Sequence, residues 1–367
     1  MDTLKAIVVD DTIVYRKIVS DVLKEIPGVE VVAAAFNGKI ALSKIATLKP
    51  DFITLDIEMP DVNGIEVLQA LKSQENAPVV IMLSTLTHEG GEMTMKALEL
   101  GAFDFVPKPD QGTMAENLEK VKKAITPIID TLKKQRRRKL QPGLRSAART
   151  TAKPLLRKPS TDNSPATSPQ RVIRKSKSEI IGIGISTGGP NALTKMIPML
   201  PAELKVPVLI VQHMPPIFTA SLAKSLGSKS KLEVKEAADG DTLEPGKIFI
   251  APGGKQMKIV AGADGITRKI KITDDPPENS CKPSVDYLFR SIAQHYVGRS
   301  TGVIMTGMGS DGTKGLAQMK NNGSTIIAQN EETCTVYGMP KEPVESGTAD
   351  IVVPLENIAL EIVKTVT

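Results

Sequence analysis

Five apolar runs of strand length, at residues 6–9, 29–34, 52–55, 79–83 and 103–106, alternate with amphipathic helical patterns along the first 125 residues. A strand that is followed each time by a helix cannot turn back on its neighbour through a hairpin. The alternation therefore predicts a parallel sheet covered by helices on both faces. It resumes near residue 178 with apolar runs at 180–185, 206–212 and 301–305, more widely spaced. Between them, residues 231–273 read as short strands joined by tight glycine-bearing turns, which predicts antiparallel strands appended to a second, mostly parallel sheet. The fold class is α/β twice over.

In an open parallel sheet, ligands bind at the carboxyl edge of the strands, so the residues that close the runs carry the functional reading. In the second region the first run ends in Gly184-Ile-Ser186-Thr-Gly188, a G-x-S-x-G turn that presents one hydroxyl beside free backbone N–H groups. The next run ends at His213 and the third leads to Asp311. Of the three histidines, His88, His213 and His295, only His213 follows an apolar strand. Serine, imidazole and carboxylate brought to one edge are the parts of a nucleophilic triad, with turn N–H groups available for an oxyanion. The chain order Ser, His, Asp differs from the Ser, Asp, His order of α/β-hydrolases. A rival pattern is the G-x-G-x-x-G of Gly307 to Gly312, a dinucleotide fingerprint in form. Asp311 inside it would face the pyrophosphate, which counts against that reading.

In the first region Asp10 and Asp11 close the first run, Asp56 the third, Ser84 the fourth, and Lys108 follows the fifth. Three carboxylates crowded at one edge call for a cation, and oxygen ligands beside a phosphoryl group suit Mg²⁺. Helix capping explains any one of these acids, Asp11 included, but not the set.

Charge divides the chain further. Residues 131–177 hold 15 Lys and Arg against one acid, a local charge of +14 within a chain of net charge +6. The segment is rich in Pro, Ser and Thr and lacks a strand or helix period, so it reads as a disordered linker. It has no aromatic residue to stack on bases, and a solvated tether is the expectation over a nucleic-acid or membrane contact. The expected boundaries are 1–125, 126–177 with a helix ending near 132, and 178–367. A hydrophobic content of 41% with 24% charged residues is that of a globular protein. No run reaches the ~18 apolar residues of a membrane span, and the first residues lack a signal-peptide core, so the expected location is cytoplasmic. Cys281 and Cys334 lack C-x-x-C spacing and read as ordinary reduced thiols.

With these motifs in place, residues 1 to about 125 resemble a response-regulator receiver domain, of flavodoxin-like fold. That resemblance implies Asp56 as the phosphorylated aspartate and Asp10 and Asp11 as the acidic pair. It implies Mg²⁺ on Asp11, Asp56 and the Glu58 carbonyl, Ser84 as switch hydroxyl, Phe105 as switch aromatic, Lys108 as the phosphate contact, and a cis bond between Lys108 and Pro109. Ile-Gly-Ile-Ser-Thr-Gly-Gly-Pro, Gln-His-Met-Pro-Pro and Thr-Gly-Met-Gly-Ser-Asp-Gly, in that order behind a receiver, resemble the chemotaxis protein-glutamate methylesterases. The resemblance spans about 1–125 and 178–365. It implies Ser186, His213 and Asp311 as catalytic residues, with the N–H groups of Thr187 and Met308 as oxyanion donors. It further implies a cofactor-free hydrolysis of receptor glutamate methyl esters, glutamine deamidation, a chemotaxis histidine kinase as phosphoryl donor, and a monomer. In Lys282-Pro-Ser-Val-Asp, a family run that usually begins with arginine begins with lysine, which keeps the charge but not the forked geometry. The competing classes, a non-enzymatic gated binding protein or a transcription regulator, leave Ser186, His213 and Asp311 without a role.

Overall fold

A computed structural model of the chain describes residues 3–140 and 176–367. In the first region β1 (Leu4–Val9), α1 (Ile13–Glu25), β2 (Val29–Ala35), α2 (Gly38–Leu48), β3 (Phe52–Asp56), α3 (Gly64–Lys72), β4 (Val79–Ser84), α4 (His88–Glu99), β5 (Asp104–Pro107) and α5 (Met114–Leu140) alternate without exception. The sheet order is β2-β1-β3-β4-β5, all parallel. Local chemistry sets the boundaries. Asn63 caps α3 by accepting from Glu66 N at 3.0 Å while Glu66 Oε2 accepts from Asn63 N at 2.8 Å, a reciprocal box. Ile18, Val22, Val121, Ile125 and Ile129 bury one face of the sheet, and α2, α3 and α4 cover the other.

The second region contains β6 (Ile180–Ile185), α6 (Gly189–Met196), β7 (Val208–Gln212), α7 (Phe218–Gly227), β8 (Glu233–Glu236), β9 (Lys247–Ile250), β10 (Gln256–Ala261) and β11 (Arg268–Thr273). It continues with α8 (Val285–His295), β12 (Ser300–Ile304), α9 (Thr313–Asn321), β13 (Thr325–Gln329), α10 (Lys341–Glu345), β14 (Ile351–Val353) and α11 (Leu355–Val366). Seven strands form one sheet in the order β14-β13-β12-β6-β7-β9-β8. Its inner strands are buried along their whole length, as strands with helices on both faces must be. The chain winds from β6 outward through β7, then returns to β12 on the far side of β6. The strand order thus reverses beside β6, where such sheets open a crevice.

Three expectations need correction. β10 and β11 are antiparallel, but β8 and β9 join the main sheet in parallel, because the ten residues between them carry the chain back across the sheet instead of turning it as a hairpin. The helix expected to stop near residue 132 runs on to Leu140 as α5. Its buried stripe ends at Leu132, yet the Lys, Arg and Gln that follow favour helix, and Arg136 pairs with Asp51 at 2.6 Å. The peptide between Lys108 and Pro109 is trans; among the described residues the only cis bond is Lys282–Pro283. The linker expected beyond residue 140 falls, up to residue 175, outside the described residues.

The two regions share an apolar interface. α4 packs on α6 and α7, and the Phe105 ring lies 4.5 Å from that of Phe218. Ser225 Oγ donates to Glu99 at 2.6 Å, Asn191 Nδ2 donates to the Ala102 carbonyl at 3.3 Å, and Lys229 pairs with Glu99. Near the far end of α5, Gln135 Nε2 donates to the Thr335 carbonyl at 2.5 Å.

Candidate active site

β6 delivers Ser186 one residue past its pairing with β7, where Ile185 stands opposite Gln212, so Ser186 and His213 leave the sheet side by side. His213 N donates to the Ile185 carbonyl at 3.2 Å, and Ser186 N donates to the Thr306 carbonyl at 3.0 Å, tying all three strand ends together. The turn after Ser186 needs glycine. Gly188 has φ +76°, and a Cβ there would stand 2.4 Å from the Thr335 side chain. Gly307 lies so close that its Cβ would meet Ser186 Cβ at 2.8 Å.

Asp311 is the most heavily coordinated group in the site. Its Oδ2 lies 2.9 Å from His213 Nε2 and accepts from Val285 N at 2.7 Å. Its Oδ1 accepts from Ser284 Oγ and Asn279 Nδ2, each at 2.9 Å, and from Asp286 N at 3.2 Å. The amino end of α8 therefore points at the carboxylate, where N–H groups lack helical partners. Burial alone would raise this carboxyl's pKa, but the hydrogen bonds and the imidazole charge outweigh it and bring it to about 2. Burial pulls His213 the other way from its ordinary value, and is outweighed by Asp311 and Cys281, which raise the imidazole to about 9. Cys281 Sγ lies 3.7 Å from His213 Nδ1.

Ser186 Oγ makes no hydrogen bond among the described residues, so Ser186 and His213 adjoin without a bond between their side chains. The N–H groups of Thr187 and Met308 are also unbonded among the described residues; Thr187 follows Ser186 in the turn, and Met308 follows Gly307, which packs against Ser186. The Thr187 hydroxyl meets the carboxylate of Asp104, from β5 of the first region; burial raises that carboxyl to about 6 against the hydrogen bonds from Phe105 N and Thr187. The last turns of α5 complete the cover. Thr131, Lys134 and Gln135 enclose, with Met308 and Thr335, a space of about 160 Å³. That is below the ~300–1,000 Å³ of ordinary ligand pockets.

The other carboxylate cluster has the opposite character. The carboxylates of Asp10, Asp11 and Asp56 offer oxygens within 4.8 Å of one another, and Lys108 Nζ reaches Asp10 at 2.8 Å and Asp56 at 2.6 Å. Burial, with Asp10 and Asp11 adding to it, raises Asp56 to about 6 despite Lys108. Such an under-compensated cluster fits a hard divalent cation. Glu58 lines the same open cleft as Asp11, and its carbonyl accepts no hydrogen bond among the described residues. Ser84 Oγ is buried and turned away, 2.6 Å from Thr94 Oγ1. Thr12, not Asp11, occupies the cap position of α1, which leaves the Asp11 carboxylate to the cluster.

Reading the sequence missed Asn279, the role of Ser284 beyond capping, and Cys281. A cap followed by an amphipathic stretch signals where a helix begins but not what its first N–H groups face. Lys282 is engaged by Asp274, at 2.7 Å to Oδ1. His88 opens α4, and His295 closes α8 at the end opposite the one that faces Asp311.

Family models match in both regions, CheB methylesterase over residues 181–362 and response regulator receiver domain over residues 6–119. A protein-glutamate methylesterase/protein-glutamine glutaminase of Desulfotalea psychrophila is 57% identical, covering 100% of this chain and 99% of the relative. One of Bacillus subtilis is 43% identical, with 99% and 98% covered. The crystal structure of the Thermotoga maritima CheB methylesterase catalytic domain, 42% identical, superposes with a TM-score of 0.50 over 52% of this chain and 99% of that one. No described helix is long and apolar enough to cross a membrane. With a receiver-type pocket, a Ser-His-Asp edge and full-length similarity all in one chain, the protein belongs to the CheB methylesterase family, response regulators that carry a hydrolase domain.

Proposed function

We propose that this chain hydrolyses γ-glutamyl methyl esters on chemoreceptors, releasing methanol, and deamidates receptor glutamines, under control of aspartyl phosphorylation in the cytoplasm. The observation that carries the reading is the placement of His213, held by Asp311 through Nε2 and beside Ser186 at the point where the strand order reverses. Ser186 Oγ attacks the ester carbonyl as His213 Nδ1 takes its proton. The resulting oxyanion is met by Thr187 N–H and Met308 N–H. Collapse expels the alkoxide, which takes the proton from His213 and leaves as methanol; from a glutamine the leaving group is ammonia. Water, deprotonated by His213, then cleaves the acyl-serine and frees a glutamate carboxylate. Asp311, fixed by its donors, keeps the imidazole in one tautomer throughout.

The docked arrangement is the resting state of this reading. Asp104, Phe105 and α5 stand where a receptor helix must lie. Phosphorylation of Asp56 by the chemotaxis histidine kinase is the releasing event, with Ser84, Phe105 and Lys108 as the groups that respond. Asp11, Asp56 and the Glu58 carbonyl would hold Mg²⁺, which supplies charge neutralisation for the incoming phosphoryl group. Residues 1–125, 126–177 and 178–367 are the functional units in this scheme, acting as a monomer. Methanol release from methylated receptor membranes, with and without a phosphoryl donor, tests it. The chain should be slow alone and accelerate with donor, and an absence of release under both conditions defeats the reading.

A further inference from the structure

We propose that Cys281 Sγ and His213 Nδ1 form a binding site for Zn²⁺ that silences the hydrolytic centre. Zinc bonds of about 2.3 Å to sulfur and 2.0 Å to nitrogen, at a tetrahedral angle, place the two donors roughly 3.5 Å apart. Cys281 Sγ and His213 Nδ1 are 3.7 Å apart before any ion arrives. Cys281, His213 and Asp311 together bring ligand atoms within 4.8 Å of one another. Asp311 is taken up by its other donors and stays behind the ring at Nε2, the position of the carboxylate that backs a metal-bound histidine and fixes its tautomer.

The thiol is held in place by its loop. Cys281 N donates to the Glu278 carbonyl at 2.8 Å and Glu278 N donates back at 3.0 Å. Arg290 grips the Glu278 carboxylate through both guanidinium nitrogens at 2.5 Å. Between them Asn279 and Ser280 take positive φ values of 51° and 63°, which turn Sγ toward the imidazole. Cys281 and His213 are both partly exposed, so an ion can enter from solvent and water can fill its remaining positions. On binding, the Cys281 thiol and the protonated His213 Nδ1 each release a proton to solvent, and the Nδ1 lone pair goes to the metal. Nδ1 is the nitrogen left to serve Ser186, so an occupied site has no base. Cys334 offers no such site: burial raises its thiol to about 12.

The site itself is tested without any esterase assay. Co²⁺ added to the unphosphorylated full chain should give a thiolate-to-cobalt charge-transfer band that Zn²⁺ abolishes. Cys281→Ser should lose the band and Cys334→Ala should keep it. Cobalt on the receiver carboxylates gives no thiolate band and does not interfere. A wild-type chain without the band, or a Cys281→Ser chain that keeps it, overturns the site. The silencing role rests on the proposed esterase function. Zn²⁺ should stop methanol release by the wild type, a chelator should restore it, and Cys281→Ser should need about tenfold more Zn²⁺ for half-inhibition. A cobalt band with no effect of Zn²⁺ on release overturns silencing. If methanol release is absent before Zn²⁺ is added, the esterase reading fails while the cobalt result still decides the site.

Discussion

Asp56 and Asp311 occupy the same place in two sheets, the carboxyl edge beside the strand where the winding reverses, yet their surroundings are opposites. Asp311 is saturated with donors and sits at about 2; Asp56 is crowded by Asp10 and Asp11 and sits at about 6. One carboxylate must stay charged and still while an imidazole titrates beside it. The other is disfavoured as an anion, which in the proposed scheme suits it to a cation and a phosphoryl group. A common scaffold edge thus yields a fixed electrostatic support or a chargeable switch, and the donor count decides which.

The comparison breaks most severely if the Asp311 edge is not a catalytic triad. Ser186→Ala should cut methanol release by on the order of 10⁴–10⁶ while leaving phosphorylation of Asp56 intact. His213→Gln should be about as damaging, and the same change at His88 or His295 should have little effect. Near-normal turnover in the Ser186 variant removes the serine mechanism.

A smaller effect tests whether the Asp56 edge governs the other one. If docking is favoured by about 3 kcal/mol, roughly one molecule in 150 is open at rest, and a fragment starting near Ser178 should be about a hundredfold faster than the unphosphorylated chain. Asp56→Ala should stay slow with donor and Mg²⁺. Phe218→Ala, which removes the partner of Phe105, should raise basal release and narrow the response to donor. A fragment no faster than the whole chain means that the receiver does not restrain the enzyme.

Stability sharpens the contrast by sign. A carboxyl lowered from 3.8 to about 2 stabilises the fold above its unfolded pKa, and that stability is lost as pH falls toward 2. Asp311→Asn should therefore destabilise the chain at pH 7 by about 2 kcal/mol. A carboxyl raised from 3.8 to about 6 costs the fold stability as pH climbs through that window. Asp56→Asn should then stabilise at pH 7 by roughly 2–3 kcal/mol. Denaturant midpoints of the two variants moving in the same direction would contradict the assignment.

The gentlest test is a pH profile. In the unphosphorylated chain, release should climb with pH toward 9 as His213 loses its proton. The stability that the raised imidazole lends, complete below its unfolded pKa near 6.5, is lost across the same range. Cys281→Ala removes one of the groups raising His213 and should move the midpoint of the profile downward; an unmoved midpoint would show that Asp311 alone holds the imidazole charged.

Much of this was legible before any coordinates. Every strand of the receiver sheet and the edge positions of Ser186, His213 and Asp311 follow from apolar run length and from what closes each run, because these are local signals. What escaped was set by distant partners. Asn279 and Ser284 reach Asp311 across about thirty residues of sequence, and nothing in a helix cap announces the carboxylate it will face. β8 and β9 are four residues each, too short for their residue pattern to say which way they pair. The last turns of α5 contain basic residues that read equally as solvated coil, and their helix is steadied by contacts to Asp51 and Thr335.

The five donors around Asp311 also bear on how this site can drift. A carboxylate held by one bond loses its orientation with a single substitution, whereas here Asn279, Ser284 and three backbone or ring N–H groups share the task. Any one side-chain donor can change with a modest penalty, and the second change is the harmful one, so the harm of each depends on which came first. The backbone donors survive every substitution except proline. The placement of Asp311 against the imidazole is thereby buffered against single substitutions, which leaves the loop around residues 279–282 free to try new neighbours for the imidazole, of which Cys281 is one.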